Sequence, residues 1–273
     1  QDRVDALSGA VTIRLSHDGE STLVRAPRCA PLGAFLATAR ARSALTKLLR
    51  VPEDFDALEA RWDGGEGDGR ALALGTAVGT CADGARRRSD DVYGVALRAV
   101  NGRERLDASD AAADDGWGRM ERECRHAFFN GLKEATYATR ASAARAMTMS
   151  SEDADAMWDA VVRGDADTLR RAEKVGDAVR EGRKRAVVPV RVYETRGDDF
   201  ANATFASAPA SVERRGTTVG DALRAFGVDV DAVEIVLAQG VEVGLDFDLE
   251  QTYEALRHAD AFLYLVAHVA STL

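Results

Sequence analysis

Along this chain the apolar positions switch between the spacing of strands and that of helices, and the switches divide it into three parts. Residues 9 to 27 hold two β-leaning stretches, A10-V-T-I-R-L15 and S21-T-L-V-R-A26, separated by the turn signal H17-D-G-E20. They predict a hairpin, closed by Pro27 and Pro31. From Leu32 to Leu49 the residues Leu32, Phe35, Leu36, Ala39, Leu45, Leu48 and Leu49 recur at helical spacing, and Pro52 stops the run. Short apolar stretches follow at 56–62, 71–74 and 92–100, between loops rich in Gly, Asp and Arg.

Between residues 116 and 184 β-branched residues are few and Ala, Arg and Glu abundant, so this part is expected to be helical, without strands. One helix is predicted from Gly118 to Met147, with Phe128, Leu132, Ala135, Thr139, Ser142 and Ala146 as its core stripe. Ser150, with Asp153 three residues on, predicts the cap of a second helix carrying Ala154, Met157, Trp158, Val161 and Val162. A third is predicted to start near Asp165 and to carry Leu169, Ala172, Val175 and Val179.

The last third repeats the opening order. Residues 186–196 and 200–206 predict a second hairpin around Gly197 and Asp198, and T217-T-V-G-D-A-L-R-A-F226 a capped helix ended by Gly227. A strand at 232–239, a turn at Gly240, a helix at 248–256 and a closing strand at 261–268 complete it. A hairpin, a helix across it and further strands form the β-grasp order of ubiquitin. The expected fold class is therefore α+β, with two ubiquitin-like β-grasp domains flanking a helix-rich domain. The predicted divisions are an N-terminal helical segment at 1–8, a first ubiquitin-like domain at 9–105, the helix-rich domain at 116–184 and a second ubiquitin-like domain at 185–273.

Composition narrows the function classes. A chain of 273 residues suits about two modules of ~100 to 150 residues. A net charge of −9 argues against non-specific nucleic-acid binding, which needs a cationic footprint to displace counterions from phosphates. Cys29, Cys81 and Cys124 are odd in number and widely spaced, which favours neither a disulfide framework nor a thiolate zinc site and fits a reducing compartment. No apolar run approaches the ~20 residues that cross a bilayer. The start lacks a signal-peptide pattern, so a soluble chain is expected, and Gln1 implies a trimmed initiating end.

The sites that invite chemistry are weak when taken singly. D63-G-G-E-G-D-G-R70 lacks the lysine and hydroxyl of a phosphate loop and carries acids that repel phosphate. Cys124 and His126, two apart on a helix, point to nearly opposite faces. His17, His258 and His268 belong to separate elements and suggest no metal site; Asp90 and Asp91, or Asp114 and Asp115, read as solvated charge. W158-D-A-V161 matches a loose peptide motif for ubiquitin-like partners, but both residues fall on a predicted core stripe. No catalytic centre and no cofactor follow from these residues.

Lys133 stands apart. It is one of four lysines, with Lys47, Lys174 and Lys184, against 32 arginines. A guanidinium stays protonated, whereas an ε-amine that loses its proton attacks acyl carbon, so arginine does not replace a lysine acceptor. On the first long helix Lys133 shares a face with Phe129, Tyr137 and Arg140 and is predicted to be accessible. Gly131 beside it, at a helix cost of about 1 kcal/mol relative to Ala, leaves room either for a partner or for a close helix contact.

The segment H126-A-F-F-N-G-L-K133-E-A resembles the acceptor region of the autophagy protein 5 family. P189-V-R-V-Y, Phe200 to Phe205, T218-V-G-D-A-L, Q239-G-V-E-V-G-L, Leu249, Leu256 and A261-F-L-Y-L are similar in order and spacing to that family's carboxy-terminal ubiquitin-like module. S8-G-A-V-T-I-R-L and A26-P-R-C-A-P-L resemble the start of its first module. The resemblance implies two ubiquitin-like domains around a helix-rich one, and a covalent link from one lysine, here Lys133, to the ubiquitin-like autophagy protein 12. It further implies E1-like and E2-like enzymes of conjugation, the coiled-coil autophagy protein 16 as partner, and a peripheral place on the preautophagosomal or phagophore membrane within the cytoplasm. In autophagosome assembly such a conjugate acts in an E3-like way, promoting lipidation of autophagy protein 8, while the chain itself is not catalytic. Two other readings stay open, a ubiquitin-like adaptor that is never conjugated and an enzyme with an unrecognised site.

Overall fold

The computed structural model describes residues 9–52, 55, 57–62, 71–85, 92–100, 115–171, 187–196, 210–213 and 216–270. The predicted hairpin forms from β1 (Ala10–His17) and β2 (Glu20–Pro27), in full register from Ala10 opposite Pro27 to His17 opposite Glu20. Its two-residue turn places both Asp18 (φ 47°) and Gly19 (φ 82°) in the left-handed region, whose twist matches that of the flanking strands. β3 (Ala57–Trp62), β4 (Ala71–Leu72) and β5 (Val92–Val100) complete a sheet of order β2-β1-β5-β3-β4, in which β1 and β5 run parallel at the centre.

The single helix predicted over 32–49 is two, α1 (Leu32–Ala37) and α2 (Ala39–Leu48). Thr38 breaks it with extended backbone (φ −60°, ψ 147°): its hydroxyl donates to the Phe35 carbonyl at 2.7 Å and caps the next helix at the Ala41 N–H. The inward side chains of β1, Val11, Ile13 and Leu15, share a core with Leu36, Leu45 and Leu49. A further helix, α3 (Val78–Ala85), follows β4.

The helical part opens with α4 (Gly116–Arg140), capped by the Asp115 carboxylate at the Gly118 N–H, 2.8 Å away. The predicted continuation to Met147 fails at Ala141, whose left-handed conformation (φ 58°) ends the helix; α5 (Ala144–Met147) is separate. Ser150 caps α6 (Ser151–Arg163) as predicted, accepting from the Asp153 N–H at 3.0 Å. Helix resumes at residue 166 behind Asp165, which accepts from the Thr168 N–H; of the stripe predicted there, Leu169 is buried and positions 172 to 184 lie outside the described residues.

The second sheet repeats the first. β6 (Val187–Arg196), β7 (Ala210–Glu213), β8 (Val233–Ala238), β9 (Val241–Glu242) and β10 (Leu263–Val269) stand in the order β7-β6-β10-β8-β9, with β6 and β10 parallel at the centre. The described partner of β6 in its hairpin is Ala210–Glu213, whereas the strand predicted at 200–206 falls outside the described residues. Its helices are α7 (Val219–Ala225), opened by a Thr218–Asp221 capping box, and α8 (Leu249–Leu256). The fold is thus α+β, with two β-grasp sheets and a helical part between them in sequence. The predicted segment 1–8 also lies outside the described residues.

Every residue of β10 is buried, because both faces of this sheet are covered. Leu263, Leu265, Ala267 and Val269 join the module's own core, whereas Tyr264 and Val266 pack with Tyr193, Leu237, Phe262 and Ala135 of α4. α3 of the first module lies against β6, β8 and β10. Asp83 on α3 fastens the two modules there. Its carboxylate pairs with Arg28 and accepts the Gly240 N–H at 2.8 Å, and its backbone carbonyl faces His268 Nε2 at 2.9 Å. Glycine suits position 240, where φ is 82° and an added Cβ would stand 2.8 Å from Arg28 Cζ and push the guanidinium aside.

Candidate functional site

α4 has two halves with different neighbours, and Lys133 sits in the second. Trp117, Met120, Cys124 and Phe128 of the first half enter the core of the first module beside Trp158, while Ala135 of the second half enters the cluster on the second sheet. Lys133 is half-buried, less open than predicted. One turn before it, Phe129 packs edge-on against Phe128 with ring centroids 5.2 Å apart; one turn after, Tyr137 is 56% exposed. Among the described residues no carboxylate forms an ion pair with the Lys133 amine. Lys47 lies exposed on α2, and Lys174 and Lys184 fall outside the described residues.

The neighbours of Lys133 on α4 turn toward the second module. Glu134 Oε2 lies 3.2 Å from a guanidinium nitrogen of Arg191 on β6. Gly131 is buried, and a Cβ there would stand 3.0 Å from Asp260 Oδ2. The close contact expected at this glycine is present, but it is made with Asp260 in the turn before β10 and not with another helix.

Asp260 is the centre of a buried polar cluster. Its Oδ2 accepts the Tyr264 hydroxyl at 2.6 Å, its Oδ1 accepts the Phe262 N–H at 3.1 Å, and His258 Nδ1 lies 3.2 Å from Oδ1. The other His258 nitrogen, Nε2, faces the Cys29 carbonyl of the first module at 3.0 Å. Burial pushes the Asp260 carboxyl up, but the charge and hydrogen bond of His258, the Tyr264 hydroxyl and the Arg191 guanidinium outweigh it and leave it below the ordinary carboxylate value. Burial, reinforced by Asp260, drives the Tyr264 phenol well above its usual value. Arg191 lies over the Phe262 ring, 4.2 Å from its centroid, and its other terminal nitrogen reaches the Tyr264 hydroxyl at 3.5 Å.

The remaining candidates stay apart. Cys124 is buried with Sγ donating to the Leu74 carbonyl at 3.4 Å, while His126 is exposed. Trp158 and Val161 are buried on α6. His17 Nδ1 faces the Leu97 carbonyl, away from His258 and His268, and the described residues contain no group of three or more His, Cys, Asp or Glu arranged to hold a metal ion. Asp115 caps α4 and pairs with Arg42 at 2.8 Å; residues 63–70, 90, 91 and 114 lie outside the described residues. No helix of the described residues is long and apolar enough to cross a membrane. Sequence reasoning missed the Asp260 cluster. The nearest signal was the H258-A-D260 spacing, of which only His258 was considered, as a metal ligand with His17 and His268.

Two β-grasp modules gripping the ends of one long helix define a tandem ubiquitin-like protein. Comparison with known families agrees with that class in both the helices and the second sheet. The model described as autophagy protein ATG5, alpha-helical bundle region, matches residues 121–173, and that for the ATG5 UblB domain matches residues 187–267. The chain belongs to the autophagy protein 5 family. Among solved structures, that of Kluyveromyces marxianus Atg5 is similar in fold, with a TM-score of 0.71, 17% sequence identity, and coverage of 97% of this chain and 98% of that one. No curated protein sequence matches.

Proposed function

We propose that the chain is a conjugation target and scaffold of autophagy, joined by an isopeptide bond from Lys133 to autophagy protein 12. The observation that carries this reading is the placement of Lys133: a half-open amine on α4, flanked by Phe129 and Tyr137, inside the part matched by the family's helical-bundle model. Lys133 Nζ, once deprotonated, attacks the thioester carbonyl carbon of the modifier held on an E2-like enzyme that an E1-like enzyme has charged. The C–N bond forms, the C–S bond breaks, and the cysteine leaves as a thiolate that takes up the proton. An ordinary lysine is mostly protonated near neutrality, its reference value being ~10.4, so proton removal and orientation belong to the complex with that enzyme.

In the same reading the conjugate binds the coiled-coil autophagy protein 16 and sits peripherally on the phagophore membrane. There it promotes transfer of autophagy protein 8 to phosphatidylethanolamine in an E3-like way, with the chain supplying no catalytic group. The domain division at 9–105, 116–184 and 185–273 accompanies it. Lys133→Arg keeps the charge and removes the acceptor. In a reconstituted conjugation mixture this variant is expected to stay at 29.2 kDa while the unaltered chain gains a higher-mass product. Normal modification of the variant sinks the assignment.

A further inference from the structure

We infer that Glu134, Arg191 and Asp260 are positioning residues for the Lys133 amine, so that the second β-grasp module forms part of the acceptor site; this rests on the reading of Lys133 as the acceptor. The residues of α4 that meet the second module are the close neighbours of Lys133 in sequence. Gly131, two positions before it, lets the helix backbone approach Asp260, and Glu134, the next residue, reaches Arg191. These contacts differ in kind. The glycine contact sets how near α4 lies to the second sheet, and the ion pair ties the Glu134 side of the helix to β6.

The far side of each contact is itself held by several partners. Arg191 is held over the Phe262 ring and against the Tyr264 hydroxyl. Asp260 is fixed by Tyr264, by the Phe262 N–H and by His258, and His258 reaches the first module at the Cys29 carbonyl. The place of Lys133 thus refers to both modules at once. An amine that must meet a thioester delivered by another protein depends on such a frame, since a misplacement of about 1 Å lowers a rate by ~10²-fold. The Glu134 carboxylate is half-exposed, so its ion pair adds little to stability. Its loss therefore acts on the reaction far more than on the fold.

The test is single-turnover discharge of the E2-like enzyme, charged with the modifier, onto the full-length chain at varied chain concentration. Glu134→Ala, Glu134→Gln and Arg191→Ala are each expected to lower the maximal rate by about ten- to a hundredfold with little change in half-saturating concentration. Glu134→Asp is expected to recover part of the rate, and thermal melting of the three Glu134 variants to match the unaltered chain. Discharge onto Lys133 at an unchanged maximal rate in these variants overturns the inference. So does a rise in half-saturation alone, which makes Glu134 a docking residue, or a rate that falls only with the folded fraction. If the unaltered chain is not modified at Lys133, the acceptor reading itself fails, and mass mapping of the product separates that outcome from the others.

Discussion

The imidazole Nε2 of His258 lies 3.0 Å from the carbonyl oxygen of Cys29, 229 positions earlier in the chain. Both atoms are buried, and the opposite ring nitrogen faces Asp260. One side chain therefore joins the first module to the polar cluster of the second.

Replacing His258 with Ala leaves the buried Cys29 carbonyl without its side-chain partner and takes one of two contacts from Asp260 Oδ1, which keeps the Phe262 N–H. An orphaned buried group costs about 1 to 3 kcal/mol, so a loss of that size is expected. Urea denaturation followed by tryptophan fluorescence reads it; a variant within 0.5 kcal/mol of the unaltered chain, about the scatter of surface substitutions, contradicts the role.

The Asp260 cluster also makes stability pH-dependent with a definite sign. Its folded carboxyl lies below the ordinary value, so the unfolded chain binds the proton more readily. The contribution is present in full above the ordinary carboxylate range, near pH ~4, and is lost as pH falls through the lowered folded value. Asp260→Asn is expected to be less stable at neutral pH, with the gap to the unaltered chain narrowing on acidification. A gap that widens below pH ~4 contradicts the assignment.

At the other fastening, Asp83→Ala removes a buried carboxylate, leaving the part-buried Arg28 guanidinium without its ion-pair partner and the Gly240 N–H without its acceptor. Removing one partner of a buried pair costs about 3 to 5 kcal/mol. Chemical denaturation should show that loss, and proteolysis under native conditions should show readier cleavage.

The cysteines are built to be inert. Burial pushes the thiols of Cys29 and Cys81 up to about 12 and that of Cys124 up to about 11. Iodoacetamide at pH 8 is expected to leave the native chain unlabelled and to add three carbamidomethyl groups after denaturation. Rapid labelling of any one thiol in the native chain shows that its site opens.

Much of the fold could be read from local signals. H17-D-G-E20 gave its hairpin, and Ser150 and Thr218 opened helices as their spacing to Asp153 and Asp221 predicts. The breaks at Thr38 and Ala141 were hidden. Neither residue is Gly or Pro, and the Thr38 break depends on a hydroxyl choosing backbone partners that apolar periodicity does not register. The surroundings of Lys133 were legible only along its own helix, where Phe129 and Tyr137 fall one turn away. Arg191, His258 and Asp260 meet Gly131, Glu134 and Cys29 through tertiary packing, and no spacing in the chain encodes that meeting.

The burial of β10 on both faces makes the two β-grasp modules unequal despite their matching strand order. The first keeps an outward surface on its hairpin, with Leu23 61% exposed and Arg14 and Arg25 in the open; the second has given its corresponding surface to α3 and α4. Cut free of the residues before it, the second module would bare Phe262, Tyr264 and Val266 together, a sticky patch of the kind that drives aggregation. Matching topology has thus given one half that can face the outside and one half whose apolar face depends on its sibling for cover.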